Sequence, residues 1–314
     1  MNARRVAIGD MFGWIGKTFS MLFANPGTLF GASALMLVVV VLTMLPVFFV
    51  MGPMFAMAPG STPDIEDLLP RILTAYAVML VLYLILMPPL ILGWMRLARD
   101  LDQGRSPGAT GLFQVFSDSG LWLAGLRLNL LVLLLVVVGF ALFAAVFWTS
   151  GSAFFAQAAE AQAARAAGME PAAQGFPAGL VLAYFAFLFV MCFFQFASFL
   201  GYTEMAVRGG GAINALSAGL RAVASNFLGL LLWIIVVGIV SFLAILLVMF
   251  LVGLLTAVLM AISPGLGVAV IFALEIPLIL LMYPLMHVGT YVAWKDMLGG
   301  DMEAAAEQAG ELAV

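Results

Sequence analysis

The sequence predicts an all-α membrane protein. It predicts six transmembrane helices in three parallel hairpin repeats, each repeat preceded by an interfacial amphipathic helix on the cytoplasmic side. Three observations carry that expectation. First, 65% of the 314 residues are hydrophobic and 9% are charged, with a mean hydropathy of +1.19. A soluble domain carries about 25% charged residues and needs far more polar surface than this chain can supply. Second, six apolar runs are long enough to cross a bilayer. Third, one short motif recurs at fixed spacing where the even-numbered runs end.

Crossing a hydrocarbon core of about 30 Å takes about 20 helical residues. The qualifying runs are Thr28–Met51, Ile72–Met95, Leu121–Thr149, Ala178–Ala206, Phe227–Ile262 and Leu266–Trp294. They lack the period-2 alternation of barrel strands, and only helices or closed barrels satisfy backbone polar groups in lipid. The first run has no small-residue cleavage site after a short apolar core, so it is expected to stay as a span rather than leave as a signal peptide. The fifth run is too long for an upright helix and must tilt or kink. Ser263-Pro264-Gly265 is the turn that separates it from the sixth.

Orientation follows the basic residues. Arg4, Arg5, Lys17, Arg96, Arg99, Arg105, Arg127, Arg208, Arg221 and Lys295 fall on one side, against Arg71 and Arg165 on the other. Both termini are therefore expected in the cytoplasm of a bacterium, with the chain in its inner membrane. The outward loops are 52–71, bearing Asp64, Glu66 and Asp67, and 150–177, whose stretch from Gln157 to Ala167 is Ala-rich. Residues 1–300 read as one polytopic domain with repeats at about 6–106, 107–208 and 209–300, and residues 301–314 read as an acidic tail.

The repeats rest on spacing. Pro88-x4-Gly93-x5-Arg99-Asp100 ends the second span, and Pro284-x4-Gly289-x5-Lys295-Asp296 ends the sixth. The fourth span ends in a degenerate copy with Phe196, Gly201, Val207 and Arg208 at those places. Asn25, Asn129 and Asn226 precede or open the odd-numbered spans, at 68, 72 and 63 residues from the matching glycines. Two spans per repeat return the chain to the same side, so the repeats are parallel, about a pseudo-threefold axis near the membrane normal. Ahead of each hairpin lies an amphipathic segment. In the first, Ile8, Met11, Phe12, Ile15, Phe19, Leu22 and Phe23 share a face, with Asp10, Gly13, Lys17 and Ser20 toward the other. In the second, Leu112, Phe113 and Phe116 make a short stripe, and in the third Ile213, Leu216, Leu220, Val223 and Phe227 do.

The opening Gly13-Trp14-Ile15-Gly16-Lys17-Thr18-Phe19-x3-Phe23-x-Asn25-Pro26-Gly27, with the span-end motif, resembles a group of uncharacterised bacterial six-span inner-membrane proteins. More distantly it is similar to the membrane domain attached to some bacterial glycerophosphodiester phosphodiesterases. The resemblance covers most of the chain and implies fold and location. It brings no catalytic residues, because its motifs are structural and the phosphodiesterase domain with its metal-binding acids is missing.

Composition also limits chemistry. One cysteine (Cys192) and one histidine (His287) cannot build an all-Cys/His zinc site or an intramolecular disulfide. A net charge of −4 gives no basic field for nucleic acid. No P-loop, HExxH or dinucleotide fingerprint occurs, and Ser152 and Ser217 lack a base at credible spacing. No catalytic residue, metal or cofactor is expected, and the chain reads as non-enzymatic.

The residue most out of place is Glu275. It lies ten residues, about 15 Å, beyond the outer turn and so near the bilayer midplane. Its repeat counterparts are Met79 and Phe187. Pro277 frees the carbonyl of Ala273 nearby. A carboxylate at that depth is costly. It marks a proton or cation site or a partner-binding point, or else it is an acid hydrogen-bonded to a neighbour such as Gln195, Tyr184 or Tyr283. His287, about three turns on and about 120° around the helix, and Gln195, a polar side chain deep in the fourth span, complete the candidate intramembrane site. Arg96, Arg99 and Lys295 are candidates for headgroup contact or anchoring, since cations suit helix C-termini and anionic leaflets.

The leading functional expectation is a membrane module that binds or translocates a lipid or apolar peptide. Its bare spans offer a polar solute no wide aqueous path. The alternative is a structural or interaction protein, an assembly partner or a toxin-immunity factor, with the Ala-rich outer loop and acidic tail as docking surfaces. An intramembrane enzyme acting on lipid is the least favoured.

Overall fold

The computed structural model describes residues 3–55, 65–169 and 178–300, and among these every regular element is helical. The order is α1 (Ile8–Ala24), α2 (Pro26–Phe55), α3 (Ile65–Asp102), a 3-10 helix (Ala109–Ser117), α4 (Ser119–Ala166), α5 (Ala178–Arg208), α6 (Ala212–Ser225), α7 (Phe227–Ile262) and α8 (Pro264–Leu298). Among the described residues, six helices are long and apolar enough to cross a membrane: stretches of α2, α3, α4, α5, α7 and α8. The chain is thus a multi-pass helical membrane protein. The expected acidic tail lies outside the described residues.

The ends of the elements follow local chemistry. Ser263 is extended (φ −159°, ψ 127°) and Pro264 opens α8 at its first turn, where a missing N–H costs nothing. Asp118 caps α4 by accepting from Leu121 N at 3.1 Å. Asn25 and Asn226 mark the α1–α2 and α6–α7 junctions, and each donates from Nδ2 to the carbonyl four residues back, Met21 O and Ala222 O. Asn129 is different. It sits inside α4 and accepts from Tyr202 Oη at 3.2 Å, and the residue at the junction before α4 is Asp118.

Three hairpins form: α2 with α3, α4 with α5, α7 with α8. Helices α3, α5 and α8 touch pairwise and make the centre. In the most apolar stretch of each span, 33%, 17% and 39% of residues are buried in α3, α5 and α8, against 11%, 6% and 0% in α2, α4 and α7. The short elements follow one rule. The 3-10 helix packs on α3 and α2, α6 on α5 and α4, and α1 on α8 and α7.

Glycine permits these approaches. A Cβ on Gly93 would fall inside the carbonyl of Leu112 in the 3-10 helix. On Gly201 it would meet Ala215 O at 3.1 Å, and on Gly219 it would strike Ala197 O. The α5–α6 contacts step from Gly201 with Ala215 to Ala197 with Gly219, so the two helices run antiparallel along the end of the span. In lipid, such backbone proximity is a main source of helix affinity, because acyl chains are as apolar as leucine.

In the short helices the apolar stripe is split between the bundle and the open side. In α1 the buried stripe is Met11, Trp14, Thr18 and Leu22, while Ile8, Ile15 and Phe23 are exposed. In α6, Leu216 and Val223 are buried but Ile213 and Leu220 are exposed. In the 3-10 helix, Leu112 is buried and Phe116 exposed. Each element therefore carries two apolar faces, one on the bundle and one left open, and amphipathicity alone does not separate them.

Candidate functional site

Buried residues gather where the even-numbered spans end, at the basic end of the molecule. Trp94, Met95, Leu97 and Ala98 of α3, Leu200 to Ala206 of α5 and His287, Val288 and Thr290 to Trp294 of α8 lie there. Pro88 and Pro284, buried one turn before the motif glycines, each remove a helix hydrogen bond.

The last turns of α8 are a hub. Trp294 Nε1 donates to Glu204 Oε2 of α5 at 2.8 Å. Arg208, one turn beyond Glu204, pairs with its Oε1 at 3.3 Å, donates to Leu298 O at 2.7 Å and lies over the Trp294 ring at 5.5 Å. Both side chains of that ion pair are almost covered, at 13% and 7% exposure. From α3, Asp102 accepts from Tyr291 Oη at 3.0 Å and Lys295 Nζ at 2.9 Å. From α1, Trp14 Nε1 and Lys17 Nζ donate to Asp296 at 2.8 Å and 3.1 Å. Arg4 N donates to Met297 O at 2.9 Å. Three helices are thus tied to residues 291–298 by charge-assisted bonds.

The candidate cations reach protein acceptors here. Arg96 pairs with Asp118 at 3.0 Å, Arg99 donates to Val207 O at 3.3 Å while its Nε is buried without a partner among the described residues, and Lys295 takes Asp102. The Leu121 amide, and then Arg96, hold the Asp118 carboxyl below its ordinary value.

His287 is buried at 1% exposure between the three central helices. Its ring stacks on Trp94 (5.2 Å between centroids, 16°) and meets Phe199 edge-on at 5.8 Å. Nδ1 lies 2.8 Å from Tyr283 O, which only accepts, so Nδ1 carries the proton and Nε2 faces the interior as an acceptor. Nε2 and the nearby Trp94 Nε1 are both buried without a partner among the described residues.

Glu275 and Gln195 are not brought to this centre. Both are exposed, Glu275 on the open part of α8 and Gln195 on α5. The three intramembrane candidates therefore lie apart, one in the core and two on open faces. Sequence reading passed over Glu204, the buried acid on which the α5–α8 contact turns. The signal was present: an acid two residues inside the end of the fourth span, four residues before Arg208. Chemically, the cluster offers hydrogen bonds and ion pairs between helices, with every carboxylate engaged, and it acts as a clamp. No family model, no curated protein and no solved structure matches the chain.

Proposed function

We propose that this protein is a non-enzymatic module of the bacterial inner membrane that holds, or moves, a lipid or apolar peptide against its outward-facing half. One observation carries the reading: the molecule is clamped at its basic end and open at the other. Beyond the clamp, large apolar side chains such as Phe185 of α5, Trp148 of α4 and Phe242 and Phe250 of α7 remain uncovered by protein. Hydrophobic surface of this extent marks contact with lipid or an apolar ligand. The three parallel repeats belong to the same proposal. They are supported by the cyclic packing of the short elements, each on the hairpin that precedes it in the ring, with α1 on the last hairpin closing the circle. The uncovered apolar ridges of α1 and α6 support interfacial placement, and the ten-to-two split of basic residues supports cytoplasmic termini. The resemblance to six-span inner-membrane proteins is consistent with that location.

The test is to purify the protein from native membrane, quantify the lipid that accompanies it, and measure lipid movement in liposomes. Stoichiometric lipid or accelerated flux is expected. A lipid-free preparation inactive in liposomes overturns the reading.

A second reading, an assembly partner, is favoured by α4. That helix continues from Thr149, where its apolar span ends, to Ala166. Here the expected result is a stoichiometric partner captured through this extension and lost on its deletion.

A further inference from the structure

We propose that the cavity between α4 and the start of α6 is a seat for one anionic glycerophospholipid, with its phosphate on Arg127 and an acyl chain along Leu131. The inference rests on the lipid-binding reading above and names where and how one lipid is held.

The starting point is Arg127. It lies eight residues past Ser119, and so about 12 Å along the helix from the start of α4. A guanidinium stays charged at any accessible pH, and a cation in a span calls for a counter-charge. No acid among the described residues supplies one. At this end Asp100 pairs with Arg105, Asp102 with Lys295, Asp118 with Arg96, Glu204 with Arg208 and Asp296 with Lys17. Asp10, the remaining acid of this end among the described residues, is exposed on α1, which packs on α7 and α8 instead. Arg127 has no hydrogen bond or ion pair among the described residues, although each of the three predicted anchoring cations has one.

The second observation is the space beside it. A cavity of about 570 Å³ is lined by Arg127, Leu131 and residues 211–214. It is large enough for a phosphate with its glycerol, and no carboxylate lines it. The α6 side of the lining is the helix start, where the amides of Ala212, Ile213 and Asn214 precede the first helix bond, Ala215 N to Gly211 O. They add donors to a seat whose charge comes from Arg127. Leu131, one turn deeper, continues the wall into the apolar part of α4. One charge with an apolar wall one turn deeper along the helix matches an anionic phospholipid of the leaflet at the basic end.

A second arginine gives the control. Arg71, also exposed and without a partner among the described residues, lines a cavity at the opposite end of the molecule with Pro46, Val50 and Val78. In sequence, Asp67 stands one turn before it.

The experiment measures binding of the purified full chain to nanodiscs or vesicles of phosphatidylglycerol and of phosphatidylcholine, with native mass spectrometry counting retained lipid. Arg127→Gln is expected to weaken phosphatidylglycerol binding about fivefold, the worth of one cation near an anionic surface. Arg127→Lys should retain most of it, and Arg71→Gln all of it. Leu131→Trp, which fills the cavity and keeps the charge, should also displace the lipid, so a poorly folding Arg127→Gln does not end the test. Unchanged binding in both Arg127→Gln and Leu131→Trp overturns the seat. So does equal loss in Arg71→Gln, which signals diffuse charge, or displacement by millimolar inorganic phosphate, which signals a free-phosphate site. Wild-type protein that retains no phospholipid in any composition overturns the wider lipid-binding reading as well.

Discussion

The two ends of α8 obey different physics. From Tyr291 to Leu298 the helix is held by Glu204 and Arg208 of α5, Asp102 of α3 and Trp14 and Lys17 of α1. From Ala273 to Ile279 every residue is exposed. Both stretches belong to one continuous helix with the same intrinsic ability to form. What differs is what each offers a neighbour. The basic end has tryptophans with N–H donors, paired charges and small residues that let backbones close up. The other end has leucine, isoleucine and proline. In water the second set would drive association, but in a bilayer lipid covers it equally well, so glue must come from close packing and polar bonds. A sequence that concentrates glycine, tryptophan and opposite charges at one end of its spans builds a clamp there and leaves the rest to lipid.

The largest effect expected from breaking that contrast is at Glu204. Replacing it with leucine takes the carboxylate from Arg208, a largely covered cation, and removes the acceptor of Trp294. Loss of one partner of a buried pair costs about 3–5 kcal/mol. Unfolding in detergent should show that loss, and a milder one of about 1.5–3 kcal/mol for Trp294→Phe, which removes one bond to a charged group. Equal stability of Glu204→Leu and wild type would mean that the clamp contributes nothing.

The next effect grades the three motif glycines. Gly93→Ala drives a methyl into the Leu112 carbonyl and is expected to cost about 1–3 kcal/mol. Gly201→Ala meets Ala215 O at 3.1 Å, which the neighbour can partly yield to, so its loss should be smaller. Gly289→Ala finds only Thr18 Oγ1 at 3.5 Å, ordinary contact, and should stay within about 0.5 kcal/mol. If all three behaved alike, spacing and not local geometry would govern the motif.

Much of this contrast was written in the sequence. The fifth span, Phe227–Ile262, has the bounds of α7, and Ser263 is the break. The Pro-x4-Gly spacing marks where a short element crosses a span end. Two features were hidden for a physical reason. Periodicity reports that α1 has an apolar stripe but not whether lipid or protein covers it. Trp14 turns inward because Asp296, 282 residues away, takes its N–H. Glu204 stood out as an acid inside the fourth span, but its role was hidden likewise, since its partner Trp294 lies on another helix, 90 residues on. Asn129 misled because a spacing match does not reveal a partner such as Tyr202. Glu275 was conspicuous for the opposite reason: an acid in an apolar run stands out in sequence even where the described residues give it no hydrogen bond or ion pair.

A smaller effect sharpens the boundary of the clamp. The folded pKa of Asp118 lies below its ordinary value of 3.8, chiefly through the Leu121 amide and then Arg96. A lowered folded pKa means that the contribution is fully present above the ordinary value and fades as pH falls through the folded one. Amide exchange at the first turn of α4 is therefore expected to quicken only in strong acid. Asp118→Asn, which keeps a cap but not the charge, should flatten that acid dependence. An acid response unchanged in Asp118→Asn would assign it to another group.

The smallest effect is expected at Glu275, and it is informative because it is small. At the basic end, altering a candidate residue alters the fold. His287 is packed against Trp94 and Phe199, so its substitution confounds chemistry with packing. Glu275 is exposed on the open part of α8 and has no hydrogen bond or ion pair among the described residues. Glu275→Gln keeps its shape and polarity and removes its charge. Unfolding stability should stay within about 0.5 kcal/mol of wild type. A larger loss would place a partner at Glu275 and end the idea that this half of α8 is unclamped. With folding unchanged, lipid flux in liposomes becomes a clean reading of the carboxylate. Lost flux at intact stability makes Glu275 part of the moving pathway, and full flux across pH makes it a passive acid on an open helix.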